Sequence, residues 1–163
     1  MIRRSSIALC LLLPASASAA TYTVCPSPSI CDFNDLLAAY NATSSGDRIE
    51  VEAGTYSVEK IKVTHDDIEF IGLYGSAATI ITTPQREWLE VDDGVTGIYV
   101  EGFTVQPFPG ERAVHLKNSA EATLVDMVVT DQSDKEAIKL DDNASILIQD
   151  SFFADNSNND GGV

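Results

Sequence analysis

From Val100 onward the chain repeats itself every 24 residues. Val100-Glu101-Gly102-Phe103-Thr104-Val105 aligns without a gap over Leu124-Val125-Asp126-Met127-Val128-Val129, which aligns over Ile148-Gln149-Asp150-Ser151-Phe152-Phe153. A separate segment keeps the same offset, with Ala113-Val114-His115-Leu116-Lys117-Asn118 falling over Ala137-Ile138-Lys139-Leu140-Asp141-Asp142, apolar residues in register. Upstream, Leu89-Glu90-Val91-Asp92 matches at an offset of 25, and Phe70-Ile71-Gly72 matches Val100-Glu101-Gly102 at 30. The six extra residues of that turn are assigned to a loop near residues 83–87. Short strands of this kind bury no core alone, and stacking successive repeats makes a continuous one.

A meander of hairpins is the rival arrangement. It calls for Asn-Gly or Asp-Gly turns at the period, and only Asp93-Gly94 and Asp160-Gly161 occur, neither repeated. The expected fold is therefore all-β: a right-handed parallel β-helix solenoid with coils of about 24 residues. Equivalent residues of successive coils then lie about 4.8 Å apart and form ladders. Inward columns are Val91, Leu116 and Leu140 in one sheet and Val100, Leu124 and Ile148 in another. Outward columns are Glu90, His115 and Lys139, then Asp92, Lys117 and Asp141, where opposite charges alternate.

The N-terminus reads as an export signal over residues 1–20, with Arg3 and Arg4 ahead of an apolar core from Ile7 to Leu13 and a small-residue cleavage region through Ala19-Ala20. That core is too short to span a bilayer, which takes roughly 20 apolar residues, so no membrane insertion of the mature segment is expected. Removal of Arg3 and Arg4 moves the formal charge from −15 to −17. Such a balance excludes nucleic acid as a partner and suits a secreted or cell-surface chain. In an oxidising compartment Cys25 and Cys31, left as an even pair, are expected to form a disulfide. Residues 21–47 are read as an N-terminal cap made of this loop and a short amphipathic helix. Asp32 is taken as the helix N-cap, and Phe33, Leu36, Leu37 and Tyr40 form the apolar stripe. Residues 48–163 are the coils, and the halt at Gly161-Gly162-Val163 partway round a coil predicts a C-terminally truncated solenoid whose remaining coils belong to a longer parent chain.

Gly46-Asp47-Arg48-Ile49-Glu50-Val51-Glu52-Ala53-Gly54-Thr55-Tyr56, followed by Ile68-Glu69-Phe70-Ile71-Gly72 and Ala78-Thr79-Ile80-Ile81, resembles the opening coil of pectin-lyase-like β-helix proteins. Phe153-Ala154-Asp155-Asn156 with Gly161-Gly162-Val163 is similar to one copy of the Phe-x-x-Asn and Gly-Gly-x repeat of chlamydial-type polymorphic outer-membrane proteins. The first likeness implies the fold, which hosts polysaccharide lyases, glycoside hydrolases and adhesins alike. The second implies a surface-displayed passenger.

Fold does not fix chemistry, so any activity rests on a site. The candidate catalytic residues are Asp92, His115, Lys117 and Asp141. A lyase needs a base and a cation facing a developing carboxylate charge. A glycoside hydrolase needs two carboxyls roughly 5–9.5 Å apart, and Asp92 with Asp141, two coils distant, lie at the edge of that range. A solvated charge ladder in which Lys117 bridges two aspartates is the plain structural alternative. Glu90 and Lys139 are candidate ligand contacts, as are Trp88 and Tyr99, whose rings either stack on sugars or pack under the inserted loop. Asp155, Asn159 and Asp160 ahead of Gly161 offer calcium ligands, or simply an Asn/Asp-rich turn; no other cofactor is expected. The leading expectation is a non-catalytic exported module presenting a repetitive face to a polysaccharide or cell-surface glycan. The alternative is the N-terminal part of a polysaccharide lyase or glycoside hydrolase with its active site on later coils.

Overall fold

The computed structural model describes residues 18–27, 30–130, 135–154 and 156. Most of the export signal, and Asp155, Asn159 and Asp160 of the calcium reading, lie outside them. Thirteen strands and one helix follow in order: β1 (Thr21–Val24), α1 (Leu36–Asn41), β2 (Arg48–Val51), β3 (Gly54–Ser57), β4 (Ile61–Val63), β5 (Glu69–Gly72), β6 (Thr79–Thr82), β7 (Leu89–Val91), β8 (Ile98–Gln106), β9 (Val114–Leu116), β10 (Glu121–Thr130), β11 (Ile138–Leu140), β12 (Ser145–Gln149) and β13 (Phe152–Ala154). Among the described residues every strand pair is parallel. Parallel neighbours need a crossover between them, which rules out the hairpin meander. The molecule is a parallel β-solenoid of about five turns.

A nine-stranded sheet carries the succession β1-β2-β5-β8-β10-β12, with β3, β6 and β13 joined at its side. A second sheet of four strands runs β4-β7-β9-β11. The 24-residue register holds in both: Val100 pairs with Leu124 and Leu124 with Ile148, while Leu116 pairs with Leu140. Leu116 and Leu124 are fully buried. Their partners on the last rung, Leu140 and Ile148, are 42% and 41% exposed, because no described rung lies over them.

The extra six residues are not where the sequence reading puts them. Phe70 pairs with Val100 at an offset of 30, yet Ile80 pairs with Thr104 at 24. The insertion is therefore residues 73–78, a loop between β5 and β6. It leaves the sheet where Gly72 and Gly102 pass in close contact: a Cβ on Gly102, whose φ is +82°, would stand 2.6 Å from the Gly72 carbonyl oxygen. The loop is closed by Gly75 N–H to the Gly72 carbonyl (3.0 Å) and Ala78 N–H to the Gly75 carbonyl (3.0 Å).

The cap also differs in detail. Asp35, not Asp32, caps α1, its carboxylate accepting from Ala38 N–H at 2.8 Å. Asp32 instead accepts the Thr23 amide and hydroxyl, both at 2.8 Å. Phe33 lies before the helix, bridged to Val24. Cys25 and Cys31 form the expected disulfide. The segment read as a cap contributes a strand as well, since β1 is the first rung of the large sheet. Leu36, Ala39 and Tyr40 of α1 are buried in the core.

Along the interior, the Phe70 ring meets Trp88 edge-on at 6.4 Å and Trp88 meets Phe103 at 5.2 Å. Each such fully buried side chain contributes roughly 1.5–3 kcal/mol by its removal from water. Trp88 is 0% exposed, so it serves the core and cannot stack on a sugar.

Candidate functional site

The four-stranded sheet presents the charged face. Residues alternate across a strand, so with Leu89 and Val91 in the core, Glu90 points out between them. Lys62, Glu90, His115 and Lys139 stand directly opposite one another on four successive strands. Asp92, Lys117 and Asp141 follow where each strand turns. The turns bend through left-handed residues, Asp93 (φ +58°), Asn118 (φ +50°) and Asp142 (φ +53°), a conformation that Asn and Asp tolerate best after glycine. Asn118 donates its amide to the Asp92 carboxylate at 2.6 Å.

The ion pairs run diagonally between these columns. Lys117 reaches Glu90 at 3.0 Å rather than bridging two aspartates. Lys62 reaches Asp92 at 3.4 Å and Lys139 reaches Asp141 at 3.0 Å. Lys60, ahead of β4, converges on the same group, at 2.9 Å from Glu90 and 3.4 Å from Glu87. His115 Nε2 lies 2.8 Å from Asp141 Oδ2. Glu87, Glu90 and His115 are all buried to nine-tenths or more although they sit on the outer face, and one ligand atom from each falls within 4.8 Å of the others.

These residues line a polar groove of about 520 Å³ together with Lys117 and a wall of Gln85, Arg86, Glu111, Arg112 and Lys135. Two further pairs brace that wall at the 24-residue period: Lys135 to Glu111 (2.9 Å) and Arg112 to Glu136 (3.0 Å). Among the described residues Arg86 is the one basic side chain with no carboxylate partner; it is exposed at the rim.

Glu90, Asp92, Glu136 and Asp141 are held ionised. Burial alone pushes Glu90 up, but the hydrogen-bonded ammonium groups of Lys60 and Lys117 outweigh it and bring it down to about 2. Asp141 is lowered by His115 and then Lys139. Asp92 is lowered chiefly by the Asp93 N–H, with Asn118 and Lys62 adding to it. Glu136, despite burial, is lowered by its own backbone N–H and by Arg112. These four carboxyls are thus pushed the opposite way from the raised, protonated general acid that glycoside hydrolysis uses.

Sequence reasoning assembled Glu90, Asp92, His115, Lys117, Lys139 and Asp141 on one sheet, and the structure brings them together there. It missed Lys60 and Glu87. Lys60 precedes β4, which pairs with β7 at an offset of 28, outside the regular period. The period itself held a usable signal for the wall, because Glu111 with Lys135 and Arg112 with Glu136 are opposite charges 24 residues apart. Tyr99 lies elsewhere, on the large sheet, donating its hydroxyl to Glu101 at 2.8 Å. With Thr123 and Leu147 it lines a second groove of about 380 Å³.

No protein-family model, no curated protein and no solved structure matches this chain. Fold and site together define a parallel β-solenoid with a buried charge cluster on its smaller sheet. The Cys25–Cys31 disulfide is compatible with an extracellular protein, and among the described residues no helix is long and apolar enough to cross a membrane.

Proposed function

We propose that this chain is an exported β-solenoid module that binds glycan in the groove over the four-stranded sheet and does not cleave it. One observation carries the reading: apart from Arg86, every lysine and arginine lining the groove is already paired with a carboxylate of the protein. Ion pairs fixed in this way offer a sugar oriented donors and acceptors with little net charge. The rungs repeat about every 4.8 Å, close to the advance of one pyranose unit along an extended polysaccharide. The likeness of the opening coil to pectin-lyase-like proteins, and of the Phe153 segment to polymorphic outer-membrane repeats, favours a secreted or surface setting. The test is a glycan array probed with the full chain, followed by titration of the best ligand. Binding abolished by Lys117→Met and unaccompanied by chain scission supports the reading. Release of reducing or unsaturated sugars by the wild type, lost with His115→Gln, overturns it.

Polysaccharide cleavage is the second reading, favoured by the oriented His115–Asp141 pair beside Lys117. It calls for unsaturated products from an acidic polysaccharide, a lyase outcome, since the lowered carboxylates argue against hydrolysis.

A further inference from the structure

The imidazole at the bottom of the groove has one nitrogen to spare. Its Nε2 is engaged by the Asp141 carboxylate, 2.8 Å from Oδ2. Among the described residues no hydrogen-bond partner reaches its Nδ1. A histidine oriented through one nitrogen by a carboxylate, with the other left bare, is the arrangement found behind metal-bound imidazoles.

We propose that Glu87, Glu90 and His115 Nδ1 bind a divalent transition ion of the zinc type, with Asp141 holding the imidazole from behind. The donors suit such an ion: two carboxylates and an imidazole favour Zn²⁺ or its neighbours over Ca²⁺, which takes oxygen ligands almost alone. Their burial supplies a rigid, poorly hydrated floor. A ring nitrogen of His115 and one carboxylate oxygen from each glutamate lie within 4.8 Å of one another, and bonds of about 2.0–2.2 Å draw them closer by side-chain rotation. Lys60 and Lys117 mark the same spot, since their ammonium groups converge on Glu90 Oε2 at 2.9 and 3.0 Å. They are the internal cations that an incoming ion displaces from that oxygen. Three protein ligands leave at least one coordination position open toward the groove, where water or a ligand hydroxyl completes the shell.

The experiment titrates the full-length chain with Co²⁺ and Zn²⁺, following the Co²⁺ visible absorption bands and calorimetric Zn²⁺ uptake. One equivalent is expected at this site, with Ca²⁺ binding far more weakly. Asp141→Asn should weaken Zn²⁺ roughly 10–100-fold, His115→Gln should abolish uptake, and Lys60→Met should strengthen it by removing the competitor. Because Glu90 and His115 are buried, the half-exposed Asp141 is the variant least prone to misfolding. Circular dichroism and melting of each variant accompany the titration. No uptake by either the wild type or folded Lys60→Met overturns the proposal, as does uptake indifferent to both His115→Gln and Asp141→Asn. Glycan binding is scored separately with metal-free protein, so either assignment can fail alone.

Discussion

The carboxylate of Asp126 receives both the backbone N–H and the hydroxyl of Ser76, at 2.9 and 2.7 Å, across fifty residues of chain. This one side chain, carried on a left-handed backbone at φ +47°, ties the 73–78 insertion to a later rung. The Ser76 carbonyl accepts the Thr104 hydroxyl at 2.8 Å, so the loop is anchored on both sides.

Asp126→Ala should therefore cost about 1–3 kcal/mol, the value of removing a charged acceptor from a buried donor. Asp126→Asn should cost less, since an amide oxygen still accepts. Urea denaturation reads the loss, and hydrogen exchange should localise it to the amides of residues 73–78.

Core substitutions should separate by rung. Leu116→Ala, in a fully buried column, is expected to cost about 2–5 kcal/mol. Leu140→Ala, next in the same column but 42% exposed, should cost well under half of that. Equal losses in chemical denaturation would contradict the stacking order.

Gly102→Val should destabilise by about 1–3 kcal/mol or more, because it forces a β-branched residue to φ +82° and drives a Cβ at the Gly72 carbonyl. Thermal melting checks it. A compensating change at Gly72 is not expected to rescue it, since the obstacle there is backbone.

Acid should weaken the fold in a defined window. Glu90 titrates at about 2 in the folded chain against an ordinary 4.5. The unfolded chain thus binds the proton first, and stability falls as pH drops from about 4.5 toward 2. Asp141, Asp92 and Glu136 are lowered too and act in the same direction. Urea midpoints measured from pH 6 to pH 2 should decline through that window; a rise would refute the pairing scheme.

The parts legible in the sequence were those with two matched rungs. Val100, Leu124 and Ile148 announce their register because each neighbours its like. The first turns are less regular: β2 pairs with β5 at 21 and β3 with β6 at 25. Residues 54–57 and 79–82 share little beyond alternation, so no alignment could place the insertion between Gly72 and Thr79. The same irregularity hid Lys60. Trp88 misled for a different reason, since an aromatic beside a variable loop reads equally as a platform or as core, and only its packing between Phe70 and Phe103 decides.

The parallel rungs also determine how the molecule bears load. Hydrogen bonds between successive rungs point along the solenoid axis, so tension applied through its two ends pulls them lengthwise, one rung at a time, rather than shearing a whole sheet at once. Among the described rungs, that of Leu140 and Ile148 is the more weakly covered and gives way before the buried rung of Leu116 and Leu124. Stretching is thus a progressive peeling, in which the charge cluster on β7 and β9 keeps its geometry until the rungs beyond it have already let go.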